Sequence, residues 1–285
     1  MTFLERYKQG EHTAVWRELN ELGDKVRSRK VRDDAYAVAN ETMRRARLNL
    51  ETLLARLPVI GYKFQDKKPL VKPARNTEVQ CKKLERILSG PIPLALWAWW
   101  EQIGEVSLLG SHPLLHASNS DPIVFAPISY ALDAIQDWAG HPANRIGAAP
   151  QPAGAWKGSV EAWRRSLRGR HMSDEEIEAI LKPTIAMFEA QDLENEKRRA
   201  APADPRFRFD FAPDELHKAG ISGATYDVLL PCATADFTLE GAHGNPLFVD
   251  YLRESFQYGG FRGWAGHSDP PRRELDFLIK DLLPI

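Results

Sequence analysis

Phe207-Arg208-Phe209-Asp210-Phe211 and Thr225-Tyr226-Asp227-Val228-Leu229-Leu230, followed by Asn245-Pro246 and closed by Gly259-Gly260-Phe261-Arg262-Gly263-Trp264, decide the fold. In the first run aromatic rings alternate with charge, which places the rings on one face of a strand and Arg208 and Asp210 on the other. The second run is β-branched, aromatic and aliphatic, and Pro231 ends it. Between the two, Pro213 suits the first turn of a short helix, Asp214 to Lys218, which Gly220 can stop. Asn245 before Pro246 reads as a cap and a proline-tolerant first turn. Phe248, Val249, Leu252, Ser255 and Phe256 share one face of the helix that follows. Strands and helices interleaved in this way predict an α+β domain whose core also takes Phe261 and Trp264.

The order of these short motifs resembles a bacterial branch of the SUKH superfamily, the Smi/Knr-like proteins. The resemblance rests on Ala212-Pro213-Asp214-Glu215-Leu216-His217-Lys218, Ile221-Ser222-Gly223, Tyr226, Pro231, Ala235-Asp236, Phe248 to Arg253 and Gly259 to Trp264. Upstream it takes in Ile92-Pro93-Leu94, Trp100 to Gly104 and Pro122 to Pro127, so it covers most of residues 78 to 265. The chain departs from the pattern at Ala224 and Arg262, where the family carries glycine and proline. What the resemblance implies is an antiparallel sheet flanked by helices that binds other proteins and carries no catalytic residues. Members of that superfamily include a fungal cell-wall regulator and many bacterial toxin-immunity proteins, so a protein partner such as a toxin is the implied ligand.

Formal net charge is -1, but residues 1 to 75 hold 17 Lys and Arg against 10 Asp and Glu, a net of +7, and the remainder holds 21 against 29. Docking of a basic helical part on an acidic body accounts for the split without nucleic acid. Cys81 and Cys232 stand far apart with no CxxC spacing, so no zinc site and no disulfide framework is indicated, and a reducing cytoplasm fits. No apolar run approaches the ~18 residues that span a bilayer. No cofactor is expected, no membrane partner is expected, and oligomeric state is left open.

Apolar spacing predicts a helix from Glu11 to Leu22 and a longer one from Val31 to Leu57, together a helical hairpin ahead of a linker at Gln65 to Asn76. The domain boundaries follow: residues 1–76 form a helical segment and linker, and 77–285 the α+β domain, with a Pro/Gly-rich insertion near 140–158. Thr77 with Gln80 suggests a capping box for a helix to Leu88 that turns Val79, Leu84, Ile87 and Leu88 inward. In Leu94 to Ile103, Trp97 and Trp100 share a face while Trp99 points elsewhere. Glu105 to Leu109 and Ile123 to Phe125 read as strands, and Tyr130 to Trp138, Val160 to Leu167 and Arg273 to Leu283 as helices. Ser173 and Glu176 form a second capping box, opening a helix that Pro183 kinks or divides.

An enzyme reading has to use Asp214, His217, Asp227, Asp236, His243 and Asp250. Nothing there has the HxxxH or HExxH spacing that fixes a metal on a helix, and no GxSxG, P-loop or GxGxxG occurs. A metal-dependent hydrolase built around His217 and His243 is the alternative to a binding module. The nucleic-acid reading rests on Arg27, Arg29, Lys30, Arg32, Arg44, Arg45 and Arg47, which Asp33, Asp34, Glu41 and Glu51 interrupt. For partner binding the candidate residues are Asp236, Phe237, Glu240, Asp250, Tyr251 and Glu254. They are expected to form an acidic patch with aromatic anchors, with Tyr251 and Glu254 facing outward together. Such a patch complements the basic clefts of nucleases, the toxin class that the resemblance supplies.

Overall fold

The computed structural model describes residues 1–115, 121–140, 154, 156–169, 172–200, 206–212, 225–267 and 269–285. Thr2 and Glu5 close a capping box at the start of α1 (Phe3–Lys8), an element the sequence periodicity does not signal. α2 (His12–Glu21) buries Val15, Trp16 and Leu19, and Gly23 ends it at φ +55°. α3 (Arg32–Arg56) turns Ala35, Val38, Met43, Ala46, Leu50 and Leu53 inward, the stripe that its spacing predicts.

The stretch expected as a linker is structured. β1 (Lys63–Phe64) lies directly before it and β2 (Leu70–Val71) inside it; later strands are β3 (Glu105–Ser107), β4 (Gly110–Ser111) and β5 (Val124–Phe125). β1 pairs antiparallel with β4, and β2, β3 and β5 form a three-stranded antiparallel sheet in that order. Residues 65–76 therefore carry an edge strand. α4 (Thr77–Leu88), α5 (Leu94–Gln102) and α6 (Ile128–Gly140) surround these strands in sequence. The Thr77 capping box does not form: Thr77 is itself the first helical residue, and its hydroxyl donates to the Ala74 carbonyl at 2.7 Å.

β6 (Phe207–Ala212) pairs antiparallel with β7 (Tyr226–Leu230), Phe209 opposite Val228 and Asp210 opposite Asp227. The Ala126 amide donates to the Phe211 carbonyl at 2.8 Å and links the end of β5 to β6, while Asp227 and Glu240 exchange main-chain bonds on the far side of β7. The short helix expected at Asp214 to Lys218 lies outside the described residues, as do Ser222 and Gly223 and most of the Pro/Gly-rich stretch near 140–158. α7 (Lys157–Arg168), α8 (Asp174–Ala200), α9 (Phe248–Gln257) and α10 (Arg272–Ile279) complete the described helices. α8 runs through Pro183 as one helix, and Ser173 and Glu176 cap it reciprocally, as expected. The fold is α+β, with small antiparallel sheets among helices.

The chain divides into two compact units, residues 1–140 with 206–285, and residues 141–205, so the N-terminal helices and the aromatic strand share one unit. At the centre of that unit is α5, whose residues Leu94 to Trp100 are all buried. Trp99 does not point away from the core. Its ring lies 5.1 Å from Phe125, 5.2 Å from Phe248 and 6.3 Å from Phe211, because a helix apolar on every side is enclosed on every side. α3 covers α5 on another face, and Trp97, Trp100, Leu252, Phe256 and Trp264 belong to the same core.

Residues 280–285 run back along α3. The Asn49 side chain donates to the Leu283 carbonyl at 2.9 Å and accepts from the Leu283 amide at 2.7 Å, pairing with both main-chain groups of one residue. Arg56 donates to the Leu278 carbonyl at 2.9 Å, and Arg45 to the Pro284 carbonyl at 3.1 Å.

Gly260 shows how tightly the core closes. At φ +93°, a Cβ added there would lie 2.7 Å from Leu108 Cδ1 and 3.2 Å from Leu53 Cδ1. Gly244 has φ +78° with nothing within 4 Å, so it isolates the backbone cost from the packing cost. In chemical denaturation Gly260→Ala is expected to lose roughly 1–3 kcal/mol more than Gly244→Ala, and Leu252→Ala about 2–5 kcal/mol. Equal losses for the two glycine variants would refute the close packing.

Candidate partner-binding surface

Three of the six residues expected on an acidic patch are interior. Asp236, Phe237 and Tyr251 are each buried, Tyr251 with 1% exposure, so Tyr251 does not face outward beside Glu254. The reason is that a second layer covers α9 on the side that its own periodicity leaves polar. Tyr251 packs 5.6 Å from Phe125 and 5.8 Å from Tyr226, and Arg262 lies over its ring. Its hydroxyl donates to Asp121 at 3.2 Å, and burial holds the phenol well above its usual pKa, so it acts as a neutral donor. Phe237 stacks on Phe248, with ring centroids 4.9 Å apart.

Asp236 has a structural task. Its carboxylate accepts from the Val249 amide at 3.1 Å and the Phe237 amide at 2.9 Å, which caps α9 from a loop thirteen residues upstream of Val249. Asn245, the cap expected from sequence, instead accepts from the Gly241 amide at 3.0 Å and sits at φ 43°. Burial pushes the Asp236 carboxyl up to about 7, against the two amide bonds and with the nearby Asp250 charge adding to the rise.

The remaining acids are paired. Glu240 meets Arg208 at 2.7 Å, Asp250 meets Arg253 at 2.7 Å and Glu254 meets Arg262 at 2.6 Å. Asp227 is buried, and takes bonds from Arg208 at 2.9 Å and Thr225 at 2.6 Å. His217 lies outside the described residues. His243 is exposed, its carbonyl accepting from Arg262 at 3.0 Å. Among the described residues no group of three or more His, Cys, Asp and Glu is placed to hold a metal ion. Burial holds the Cys81 thiol above its ordinary range, which disfavours the thiolate.

Arg6, Arg44, Arg45 and Arg47 of the N-terminal segment are engaged at short range, whereas Arg29, Lys30 and Arg32 are exposed. Arg6 pairs with Glu11 and Glu18, Arg44 and Arg45 with Glu41, and Arg47 with Glu51. Toward the rest of the chain they reach main-chain carbonyls: Arg27 bonds Ala233 and Ile92, and Arg47 bonds Gln102. The docking of basic helices thus uses carbonyl oxygens where carboxylates were expected.

A different surface keeps its charge. α4 buries Thr77, Cys81 and Leu84; Val79, two residues from both Thr77 and Cys81, falls on the opposite side. Val79 is 64% exposed and Ile87 39% exposed, the reverse of the inward placement expected for both. Lys82, Lys83 and Arg86 occupy the same outer face by helical spacing, and exposed Lys72 and Arg75 precede it. Lys82 pairs with Glu78 at 2.5 Å, whereas Lys72, Arg75, Lys83 and Arg86 have no carboxylate partner among the described residues. The face offers cations around two exposed aliphatic side chains. Sequence periodicity missed it because Val79 and Ile87 were assigned to the core by hydrophobicity alone.

No protein-family model, curated protein or solved structure matches this chain. Among the described residues no helix is long and apolar enough to cross a membrane.

The Asp236 cap has a measurable pH signature. The unfolded carboxyl titrates near its ordinary ~4 and the folded one at about 7. Between these values the folded state holds a proton the unfolded state has lost, so its contribution to stability falls as pH rises through that window. Asp236→Asn should flatten this slope between pH 4 and 7 in thermal melts. It should also lower stability by ~1 kcal/mol, since an amide oxygen cannot serve both N–H groups as the carboxylate does.

Proposed function

We propose that the chain is a non-catalytic protein-binding module, of immunity or regulatory type, and that it works in the cytoplasm. The observation that carries this reading is the outer face of α4, where Val79 and Ile87 stand in water beside Lys83 and Arg86, which have no carboxylate partner among the described residues. Apolar side chains held in solvent beside unpaired charge are what a protein interface uses, the apolar groups for residence and the charge for encounter. The partner this face suits carries an acidic surface, for example a toxin whose contact region is acidic. Single-stranded nucleic acid is a poorer fit, because the exposed side chains between the cations are aliphatic and offer no ring for a base to stack on. The ordered resemblance of residues 78 to 265 to the SUKH superfamily is in keeping with a binding role and with an immunity or regulatory setting.

The test is charge reversal on the face. Lys83→Glu combined with Arg86→Glu is expected to leave the melting temperature unchanged, because both side chains are exposed. It should weaken capture of the native partner by at least about tenfold, and parent binding should weaken as salt rises. Undiminished capture by the double variant would move the working surface elsewhere. Random double-stranded DNA should bind weakly or not at all at physiological salt. Submicromolar binding with a steep salt slope would replace the protein reading with a nucleic-acid one.

A further inference from the structure

A cavity of about 530 Å³ opens between the first turn of α2, the end of α9 and residues 279–285, all of them within the larger unit. That volume is in the range of small-molecule sites. Phe256, Ile279 and Leu282 supply apolar wall, and His12, Arg253, Gln257 and Glu11 are among the polar lining. One guanidinium holds these walls together. Arg253 donates from Nε to the Ile285 main-chain oxygen at 2.8 Å, from Nη1 to Asp250 at 2.7 Å and from Nη2 to the His12 carbonyl at 3.2 Å. The start of α2, α9 and the last residues are therefore fixed to one another, and the cavity is preformed.

The oxygens of these walls are engaged. The Leu283 carbonyl accepts from Asn49, the Pro284 carbonyl from Arg45, and the Ile285 and His12 oxygens from Arg253. Glu11 accepts two bonds from Arg6, at 2.8 and 2.9 Å. The donors are not all engaged. A guanidinium has five N–H groups, and Arg253, whose side chain is only 16% exposed, uses three of them among the described residues. His12 Nε2 lies 2.8 Å from Arg45 Nη1, which can only donate. The imidazole is therefore neutral, and its proton sits on Nδ1, which has no partner among the described residues. Burial lowers the His12 pKa, with Arg45 and Arg253 adding to the effect, in agreement with the neutral ring. Spare N–H donors, occupied acceptors and an apolar wall together select a molecule that brings an acceptor and a hydrocarbon body.

We infer that this cavity binds a small amphipathic carboxylate, its head at Arg253 and His12 and its hydrocarbon body against Phe256, Ile279 and Leu282. Charge-assisted bonds from a guanidinium to a carboxylate are short and directional, which fixes the orientation of the ligand. A monoanion suits the site better than a phosphate dianion, because Asp250 already offsets part of the Arg253 charge. Gln257, the last residue of α9, is exposed at the rim and offers a place to change the charge there without touching the core. The site lies on other elements than α4, and it does not rest on the protein-binding reading.

Octanoate is the probe, with acetate and octylammonium as controls, titrated into the full chain. Octanoate is expected to bind with a dissociation constant on the order of 0.1–1 mM, and both controls at least about tenfold more weakly. The His12 ring resonance, assigned by its loss in His12→Gln, should titrate at higher pH with octanoate bound, because a nearby carboxylate favours the imidazolium. Gln257→Glu is expected to weaken octanoate binding about fivefold and Gln257→Lys to tighten it by a similar factor, with the melting temperature of the free protein unchanged. No octanoate binding and no His12 shift up to about 10 mM overturns the inference. So does octylammonium binding as tightly as octanoate, or one affinity shared by the parent and both Gln257 variants.

Discussion

A helix with no polar side cannot rest on a surface; it has to be enclosed. α5 is such a helix, and the larger unit is arranged to enclose it. The aromatic face of β6 and the end of β5 close one side through Phe211 and Phe125, α9 contributes Phe248, and α3 closes another side. This requirement explains why the N-terminal helices share a unit with strands more than a hundred residues away. It also explains why Trp99 is as buried as Trp100. Burial of large rings is the dominant favourable contribution in such a core, at about 25 cal/mol for each Å² of apolar surface removed from water.

Local periodicity made much of this legible. The alternation at Phe207, Phe209 and Phe211, the inward stripe of α3 and the capping box at Ser173 and Glu176 all follow from residues within one or two turns of each other. What was not legible depends on residues distant in sequence. Asn245 has the chemistry of a cap and the right neighbour in Pro246, yet the Val249 amide in the first turn of α9 is met by Asp236, which only the fold brings there. Tyr251 looks like a surface residue on its own helix and is covered because Phe125, Tyr226 and Arg262 close over it. Val79 and Ile87 look like core residues and are not, since α4 has neighbours on one side only.

Charge is distributed by the same logic. A segment with a large positive excess need not present a positive surface, because a guanidinium can be satisfied by carbonyl oxygens as well as by carboxylates. Arg27, Arg45 and Arg56 are used in that way, and the acids near α9 are held by arginines of their own neighbourhood. Composition located the positive excess in residues 1–75 and did not point to the outer face of α4, which lies in the acidic remainder. On that face Lys82 pairs with Glu78, whereas Lys83 and Arg86 have no carboxylate partner among the described residues.

The pairing of Asn49 with Leu283 bears on how the chain comes to be folded while it is made. α3 leaves a ribosome more than two hundred positions ahead of residues 278–285, which run along it. At typical synthesis rates this is an interval of roughly ten to fifty seconds. During it α5 and β6 also arrive only in stages, so the apolar stripe of α3 is exposed to the crowded cell interior. Closure of the larger unit therefore waits for residues 278–285, and the nascent chain is a natural client for chaperones that shield apolar helices until their distant partners arrive.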